Sequence, residues 1–411
     1  MKQIYSGLRV GTVNLVLLVV LLGLVECFSA IWVTRPPGNI VYHSRLNHTW
    51  KPDSSYLHTE FCDNNPEFAE PYRDYYNHQG WLERYDIQKE KPPAVYRIFY
   101  VGDSFTEGTC PMEQSVPEVV EKELNGYAKG LPFKFEVVNT GTSSYAPTLY
   151  YLLVRYVITD YNPDLIVVNV DMTDDFDDWW YGRNLIRDKE GNPQFAPRPE
   201  VDRADVKISA NGELKVPVWS RVRLFFHKYS YTYNLIRHLR QWVFSPAIDG
   251  DDREGRTGTY SRWSWCKSYW DEMTRRNVDN SMDVLGRLIR WCQENNIKIM
   301  LTGVPHYPQY AGNPYGGGPP IWSSRPHAVL RDLAGAFQVP YLNSYERLKP
   351  VIQGTPQERF YYRKDMHFNP RGYAIWAEAQ LDFLMAPANG LLPETFYRAV
   401  RKKRGKGQDG G

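Results

Sequence analysis

The chain has 411 residues, of which 42% are hydrophobic and 23% charged, so it can bury a substantial core and wholesale disorder is excluded. Lys and Arg (49) nearly balance Asp and Glu (47), which excludes both a large basic surface for nucleic acid and an acidic solvating tail. Aromatic residues reach 15%, a content found in carbohydrate-binding proteins and equally in loop-rich proteins with aromatic filler. The length fits two average domains or one elaborated α/β domain.

Segment 13–33, VNLVLLVVLLGLVECFSAIWV, is almost entirely apolar. About 20 apolar residues in a helix cross the hydrocarbon core of a bilayer. The segment therefore predicts a single membrane anchor after a short cytoplasmic stub, 1–12. Lys2 and Arg9 precede the anchor, and the positive-inside rule then places the bulk of the chain outside the cytoplasm, in the periplasm or the extracellular space. A cleaved signal peptide is the alternative, although no small-x-small cleavage motif ends at Ala30.

Segment 34–93, after the anchor, is rich in Pro, Tyr and charged residues and predicts an extended arm. Strand and helix patterns then alternate through a domain at 94–385. Near-continuous apolar runs separated by helical patterns predict one parallel sheet covered by helices on both faces. About five strands are expected, at 97–102, 135–139, 165–171, 298–304 and 339–342.

The alternation is interrupted by an insertion at 179–270, which is rich in aromatic residues and predicts one amphipathic helix at 221–242. The C-terminal tail, 386–411, ends in a basic and then glycine-rich run. This composition predicts that the tail is partly disordered.

Chemistry-bearing residues follow several of these strands, and sites in open α/β sheets lie beyond the carboxyl ends of the strands. Ser104 follows the first strand, and a serine hydroxyl needs an adjacent base to become a nucleophile. His367 can be that base, and Asp365 can orient its imidazole. A helix N-terminus at Ser104 would also direct backbone N–H groups toward a developing negative charge. Each feature alone is equally well explained by a turn, a helix cap or a surface pair, and their joint occurrence favours a catalytic site.

These motifs together resemble those of the SGNH (GDSL-type) hydrolases: Gly-Asp-Ser at 102–104, Gly141 after the second strand, and Asp365-x-His367 before the last helix. The resemblance implies a three-layer α/β/α, flavodoxin-like fold and a Ser-His-Asp triad directed at esters. Ser104 would be the nucleophile, His367 the base and Asp365 its partner. The backbone amides of Ser104 and Gly141 would donate to the oxyanion.

Further segments are similar to the membrane-anchored or exported branch of this family, and the resemblance covers roughly 77–384. The segments are NHQG at 77–80, PDL at 163–165 and NPRGY at 369–373. The short Asp-x-His spacing is similar to that of the branch that acetylates or deacetylates exported polysaccharides.

Two features depart from the family pattern. The family often has Asp-x-x-His where this chain has the shorter Asp365-x-His367, and the second departure concerns the oxyanion site. Where the family has Gly-x-Asn-Asp, this chain has Met172-Thr173-Asp174-Asp175. The family's Asn side chain donates to the oxyanion, whereas an ionised Asp174 would repel it, and losing one such donor costs about 2.7–4 kcal/mol of transition-state stabilisation. Four alternatives are open: a protonated Asp174, Thr173 as the donor, a different register, or reduced activity.

Other sites are weaker candidates. The G-x-S-x-G elbow of α/β-hydrolases is absent because residue 106 is Thr. His306, after the fourth strand, is expected to be a loop histidine at the rim of the site. Carboxylate oxygens suit Ca²⁺ or Mg²⁺, but the acidic run does not have the spacing of an EF-hand loop, and a solvated acidic loop is favoured. No metal or cofactor is therefore expected. The acidic run consists of Asp171, Asp174, Asp175, Asp177 and Asp178.

The sequence thus predicts a membrane-anchored, extracytoplasmic serine esterase or O-acyltransferase that acts on acyl esters, chiefly acetyl esters of carbohydrate. Its expected partners are an acylated carbohydrate and the membrane, with no nucleic acid. The insertion 179–270 is the expected acceptor-binding region. The alternative is a catalytically weakened binding or assembly module of the same fold at the cell envelope.

Overall fold

A computed structural model describes residues 2–33, 39–59, 70–198, 207–208, 214–244, 262–311 and 322–408. The strands are β1 (Ile40–His43), β2 (Asn47–Trp50), β3 (Ser54–His58), β4 (Tyr72–Tyr76), β5 (Val95–Val101), β6 (Lys134–Asn139), β7 (Leu165–Asp171), β8 (Ile186–Arg187), β9 (Pro193–Phe195), β10 (Lys207–Ile208), β11 (Leu214–Lys215), β12 (Lys298–Val304) and β13 (Tyr341–Leu342). The α-helices are α1 (Lys2–Ser29), α2 (Ser104–Glu107), α3 (Val116–Ala128), α4 (Pro147–Tyr156), α5 (Asp174–Gly182), α6 (Val218–Tyr229), α7 (Tyr231–Phe244), α8 (Glu272–Glu294), α9 (Tyr307–Ala311), α10 (Arg325–Phe337), α11 (Ser344–Ile352), α12 (Pro370–Met385) and α13 (Glu394–Gln408).

The chain divides into two compact units. The first consists of residues 1–40 and 198–248, and the second of residues 41–197 and 249–411. The predicted insertion, 179–270, is thereby divided: its central part belongs to the same unit as the N-terminal helix, and its two ends belong to the unit that contains the sheet. Parts of the predicted arm, the insertion and the extreme tail lie outside the described residues.

The second unit is built on a five-stranded sheet with the order β13-β12-β7-β5-β6. Every neighbouring pair of strands in it is parallel. Numbered along the chain and read from the β6 edge, the order is 2-1-3-4-5, which is the flavodoxin-like arrangement. The predicted fold class, a parallel five-stranded α/β sheet of flavodoxin-like type, is confirmed.

Alternate residues of each strand feed two separate cores, because side chains along a strand point to opposite faces. In β5, Phe99 and Val101 face the core formed with α4, α8 and α10. Ile98 and Tyr100 face the other core, formed with α3, α11 and α12. Both faces of the sheet are therefore covered, which explains why its strands appear in the sequence as continuous apolar runs.

The predicted arm, insertion and tail contain the following elements. The arm carries strand pairs, β1 with β2 and β3 with β4. The single helix predicted at 221–242 is wrong: Ser230 is extended (φ −112°, ψ 119°) and separates α6 from α7. The tail forms α13 through Gln408, since Phe396 and Tyr397 at its start are buried.

Helix α1 has 28 residues, and its window Thr12–Ser29 has a mean hydropathy of 2.2. Among the described residues it is the one helix long and apolar enough to cross a membrane. A signal sequence near the N-terminus would have the same properties.

Two glycines allow β5, β6 and α2 to approach closely at the carboxyl edge of the sheet. A Cβ on Gly102 would lie 2.0 Å from the Thr106 hydroxyl oxygen. A Cβ on Gly141 would lie 2.1 Å from the backbone nitrogen of Glu107 and 2.6 Å from the carbonyl carbon of Thr106. Backbone atoms cannot rotate away as a side chain can, so Gly141 is the less replaceable of the two.

We expect Gly141→Ala to lower the free energy of unfolding by about 1–3 kcal/mol, the usual cost of overpacking a closely packed site. Gly335→Ala is the matched control, because Gly335 lies in α10 and a Cβ there would have no neighbouring atom within 4 Å. Alanine there should stabilise by about 0.5–1 kcal/mol through its helix propensity. Chemical denaturation measures both changes, and equal effects at the two positions would contradict the packing argument.

Candidate active site

The turn from β5 into α2 presents Ser104 at the carboxyl edge of the sheet. Asp103 is the N-cap of this four-residue helix, and its Oδ1 accepts a hydrogen bond from the Phe105 amide at 2.9 Å. The cap is therefore Asp103 and not the serine. Ser104 is the first helical residue, is only half-buried, and has its hydroxyl available for other contacts.

The structure brings the side chains of Ser104, His367 and Asp365 together. The Ser104 Oγ lies 2.6 Å from the His367 Nε2. The other ring nitrogen, Nδ1, hydrogen-bonds the Asp365 Oδ1, which also accepts the His367 backbone amide at 2.9 Å. The side chains of His367 and Asp365 are 14% and 35% exposed, so a substrate can reach the site from solvent.

The loop that carries the histidine is fixed by the residues that follow it. Asn369 caps α12 by accepting hydrogen bonds from the amides of Arg371 (3.0 Å) and Gly372 (3.1 Å). Its Nδ2 donates back to the Glu358 carbonyl at 2.9 Å. The Phe105 ring packs 4.6 Å from the imidazole of His367. Helix cap and ring contact together set the position of the imidazole above Ser104.

Buried carboxyl groups lie beneath the serine. Asp103, Asp171 and Asp174 each place an oxygen within 4.8 Å of the others. The Ser104 Oγ lies 3.4 Å from the Asp103 Oδ2, which links the serine to this cluster. Asp171 forms an ion pair with His306, with 2.6 Å between its Oδ1 and the Nε2.

The three carboxyl groups differ in their tendency to ionise. Burial would raise the pKa of Asp171, but the charge of His306 and its hydrogen bond hold that pKa below its ordinary value. Burial, together with the negative charge of Asp171, raises the pKa of Asp103 well above its ordinary value. Burial and both neighbouring carboxylates raise the pKa of Asp174 in the same way. Asp171 is thus the member that carries the charge, and Asp174 tends to keep its proton.

Asp174 lies at the start of α5 with its two oxygens in different surroundings. Its Oδ2 accepts from the Tyr150 hydroxyl at 2.9 Å and from the Asp171 amide at 3.2 Å. Its Oδ1 is buried and has no hydrogen-bond partner among the described residues. A proton on this oxygen would make Asp174 a donor.

The other predicted oxyanion donors are placed as follows. The Gly141 amide donates to the Asn139 Oδ1 at 3.0 Å. The hydroxyl of Thr173 donates to the Asp171 Oδ2, and its amide donates to the same oxygen at 3.2 Å. Both groups are thus directed at other acceptors, whereas the Ser104 amide, at the helix N-terminus, has no acceptor in the described part of the chain.

His306 was expected at the rim and is instead 1% exposed, so that expectation is wrong. Strand register explains its place: Val304 of β12 pairs with Asp171 of β7, which brings the ends of both strands to one level. This pairing of strand ends was a signal available from the sequence. Tyr150, on α4, was also missed, and no sequence pattern marks it because only the packing of α4 brings it to Asp174.

The described aspartates of the acidic run contact different partners and do not form a single cluster. The Asp177 Oδ1 lies 3.5 Å from the Arg262 guanidinium, and the Asp178 Oδ1 accepts from the Thr148 amide at 2.8 Å. Among the described residues, the set that could hold a metal ion is the cluster of Asp103, Asp171 and Asp174. Most oxygens of that cluster already accept hydrogen bonds, as described above, and the Asp174 Oδ1 is the exception.

Glu107, at the end of α2, is a buried carboxyl group on the other side of the serine. Its Oε1 accepts from the Tyr76 hydroxyl at 2.7 Å, and its Oε2 accepts from the Ser143 amide at 3.1 Å. Burial raises the pKa of Glu107 to about 8, although these hydrogen bonds oppose the shift. The carboxyl group therefore joins α2 to the turn after β6 while it is largely neutral.

No protein-family profile matches the sequence, and no curated protein matches it. Solved structures with a similar fold include an acetylxylan esterase, Axe2, from Geobacillus stearothermophilus (11% identity, TM-score 0.38, covering 70% of this chain and 94% of that one). They also include a G-D-S-L family protein from Desulfitobacterium hafniense (12% identity, TM-score 0.34, 70% and 99%). A third is a two-domain esterase active on acetylated mannans (11% identity, TM-score 0.37, 71% and 48%). Two of these proteins are described as esterases and one as a member of the G-D-S-L family. At these identities the similarity is one of fold.

We expect Glu107→Gln to flatten the dependence of stability on pH. A carboxyl group whose pKa is about 8 when folded and about 4.5 when unfolded adds stability below pH 4.5, and that stability is lost as pH rises to 8. The loss is at most about 1.4 kcal/mol per pH unit. Glutamine is neutral and can accept from Ser143 while it donates to Tyr76.

Thermal unfolding between pH 5 and pH 8.5 would measure this effect, with Glu90→Gln as the control because Glu90 is an exposed carboxylate. The parent and the control should lose stability with rising pH along parallel curves, and Glu107→Gln should lose less. Three parallel curves would show that Glu107 does not carry its proton in the folded protein.

Proposed function

We propose that this chain is a membrane-anchored, extracytoplasmic serine esterase or O-acyltransferase of the SGNH type, acting on acetyl esters of carbohydrate. One observation carries the proposal: the Ser104 Oγ lies 2.6 Å from a histidine nitrogen whose partner nitrogen is held by Asp365. A serine hydroxyl within hydrogen-bond reach of a base that is itself oriented by a third group is the arrangement of an activated nucleophile. It lies at the carboxyl edge of a parallel sheet, where active sites of such folds are found.

The first half of the reaction follows from this geometry. The His367 Nε2 takes the Ser104 proton as the Oγ attacks the ester carbonyl carbon, which gives a tetrahedral oxyanion. Asp365 keeps Nδ1 protonated and stabilises the imidazolium that forms. When the intermediate collapses, the carbon–oxygen bond to the alcohol breaks, and the imidazolium returns its proton to the leaving oxygen. The acyl group is then bound to Ser104.

The second half repeats these steps with a new acceptor. His367 deprotonates either water or a sugar hydroxyl, which attacks the acyl-serine and releases Ser104. Water gives hydrolysis and a sugar gives transfer, so the triad serves both reactions. The acceptor decides between them, and we propose that the ends of the aromatic-rich insertion that belong to this unit, around Trp179 and Trp270, help to bind it.

Stabilisation of the oxyanion is the demanding part of this mechanism. We assign it to the Ser104 amide and to Asp174, the residue at the family's asparagine position. A neutral carboxylic acid can donate one hydrogen bond, as the amide of asparagine does, and the raised pKa of Asp174 keeps the acid neutral. Its Oδ1, which is buried and has no hydrogen-bond partner in the described residues, is the atom on which we place the proton.

The substrate class rests on resemblance and composition. The Asp365-x-His367 spacing resembles that of polysaccharide-modifying members of the family, and the aromatic content of 15% suits the binding of sugar rings. Among the structural neighbours, Axe2 is described as an acetylxylan esterase and a further protein as active on acetylated mannans. Helix α1 supports the proposed anchoring by its length and hydropathy.

The alternative function is a catalytically weakened module that keeps the fold for binding or assembly. The placement of Gly141 and Thr173 favours it, since both donors point at other acceptors. If Asp174 were ionised, the Ser104 amide would be left to stabilise the oxyanion without it. Such a protein would bind carbohydrate without turnover.

We expect Ser104→Ala to abolish labelling by a fluorophosphonate probe and to lower kcat on an acetyl ester by about 10⁴- to 10⁶-fold. Ser143→Ala is the matched control, because Ser143 follows the neighbouring strand and contacts Glu107 through its backbone. The Ser143→Ala variant should be labelled by the probe and should hydrolyse the acetyl ester as the parent does. Equal labelling of Ser104→Ala and the parent would refute the assignment of the nucleophile. Absence of turnover in the parent would favour the binding module.

We expect Asp174→Asn to retain most of the activity at neutral pH, because asparagine supplies a neutral donor of the same shape. Asp174→Ala should lower kcat by about 10²- to 10³-fold, the usual cost of one oxyanion donor. In the parent, kcat should fall at high pH as Asp174 loses its proton, and Asp174→Asn should lack that decline. The comparison of the pH profiles of kcat is decisive: identical profiles would remove Asp174 from the oxyanion site.

A further inference from the structure

Helices α6 and α7 form a hairpin in the unit that contains α1, and its tip is attached to the end of α1. Glu26 of α1 accepts a hydrogen bond from the Ser230 hydroxyl at 3.1 Å, from the Tyr231 amide, and from the Thr232 amide at 3.1 Å. The hydroxyls of Ser29 and Thr232 lie 3.2 Å apart. The carboxylate of Glu26 thereby caps the N-terminus of α7, where backbone N–H groups lack helical partners.

The position of Glu26 fixes the depth of that tip. Glu26 lies three residues before Ser29, within the apolar window Thr12–Ser29, so the capped end of α7 lies about 5 Å inside the end of that window. Beyond the window, Leu235 and Leu239 of α7 line a cleft together with the segment 30–33. The hairpin therefore follows α1 across the level at which a bilayer would end.

The hairpin buries two polar side chains and exposes several large apolar ones. His227 and Asn234 are buried, and the Asn234 amide donates to the carbonyls of His227 and Ser230, both at 2.8 Å. Large apolar side chains point outward instead. The exposed ones are Val218 (73%), Trp219 (75%), Phe225 (57%), Phe226 (46%), Tyr229 (50%), Ile236 (62%) and Leu239 (51%). In water this arrangement leaves the apolar surface uncovered, which is costly.

The charges and aromatic rings of the hairpin match one environment. Between 218 and 244 the chain has basic residues and no Asp or Glu. Aromatic rings gather beside the tip, with Phe225 and Tyr229 4.9 Å apart and the Lys228 ammonium 5.4 Å from the Tyr229 ring. Aromatic residues with flanking cations are typical of the membrane–water interface, where helices bind anionic lipids. The basic residues are Arg221, Arg223, Lys228, Arg237 and Arg240.

We propose that the α6–α7 hairpin is a second membrane contact, in which the exposed apolar side chains beside the tip enter the lipid interface next to α1 and the basic residues bind anionic headgroups. The occupant of this surface is the bilayer itself. The inference rests on the membrane anchoring in the proposed function and is independent of the esterase chemistry. It also gives Glu26 a role, because a carboxylate inside an apolar helix requires partners.

Photocrosslinking of the full chain in vesicles tests the proposal. p-Benzoylphenylalanine is placed at Phe226 in the hairpin, at Leu18 in α1, and at Tyr269 in the other unit, which is 76% exposed. The vesicles contain equal parts of phosphatidylglycerol and phosphatidylcholine, and adducts are identified by mass spectrometry. We expect lipid adducts at position 226 to be as abundant as those at position 18. At position 269 we expect lipid adducts only at the background level. In pure phosphatidylcholine, the adducts at 226 should decrease and those at 18 should remain.

The other outcomes overturn the inference in distinguishable ways. Adducts at 18 without adducts at 226 would leave the anchor and remove the hairpin from the membrane. Adducts of 226 with protein instead of lipid would identify a protein-binding face. Absence of lipid adducts at 18 would refute the anchoring itself. Esterase activity of the same samples reports separately on the proposed catalytic function, so its failure would not be confused with any of these.

Discussion

The close approach of α2 to the ends of β5 and β6 is the constraint on which the site depends. Glycine at 102 and 141 lets the backbone of α2 lie against both strand ends. Asp103 then caps the helix and leaves Ser104 as its first residue, directed at His367. A Cβ at Gly141 would displace this helix, and with it both the serine and Glu107. The placement of Ser104 beside His367 is thus a consequence of backbone packing, and the side-chain hydrogen bonds complete it.

Of the three buried carboxyl groups beneath Ser104, only Asp171 is favoured in its ionised form. Asp171 and His306 form one ion pair, and burial, together with the negative charge of Asp171, raises the pKa of the neighbouring Asp103 and Asp174. An isolated buried charge is expensive, whereas a paired charge and neutral acids are tolerated. Because this arrangement favours the protonated form of Asp174, that side chain can donate a hydrogen bond to the oxyanion, whereas an ionised aspartate would repel it. In the proposed mechanism, stabilisation of the oxyanion depends on this proton.

In the first unit, the α6–α7 hairpin suits a lipid environment better than water. Its hairpin buries His227 and Asn234 and exposes aromatic and aliphatic side chains, which is unfavourable in water and favourable at a lipid interface. Glu26 shows how a residue that is unusual in the sequence acquires a structural role. In the sequence it is an anomaly within an apolar segment, and in the structure it caps α7.

The sequence by itself determined the sheet, its parallel class and the residues that meet at its carboxyl edge, because buried parallel strands leave continuous apolar runs and their ends share one edge. Ser104, His367 and Asp365 could be named as candidates from their positions after the first strand and before the last helix, together with the family resemblance. The sequence could not reveal the break at Ser230 or the contact of Tyr150 with Asp174. These depend on which elements pack together, and contacts between residues far apart in the chain have no local periodicity. Only the tertiary structure decided which of the buried carboxyl groups carries the charge.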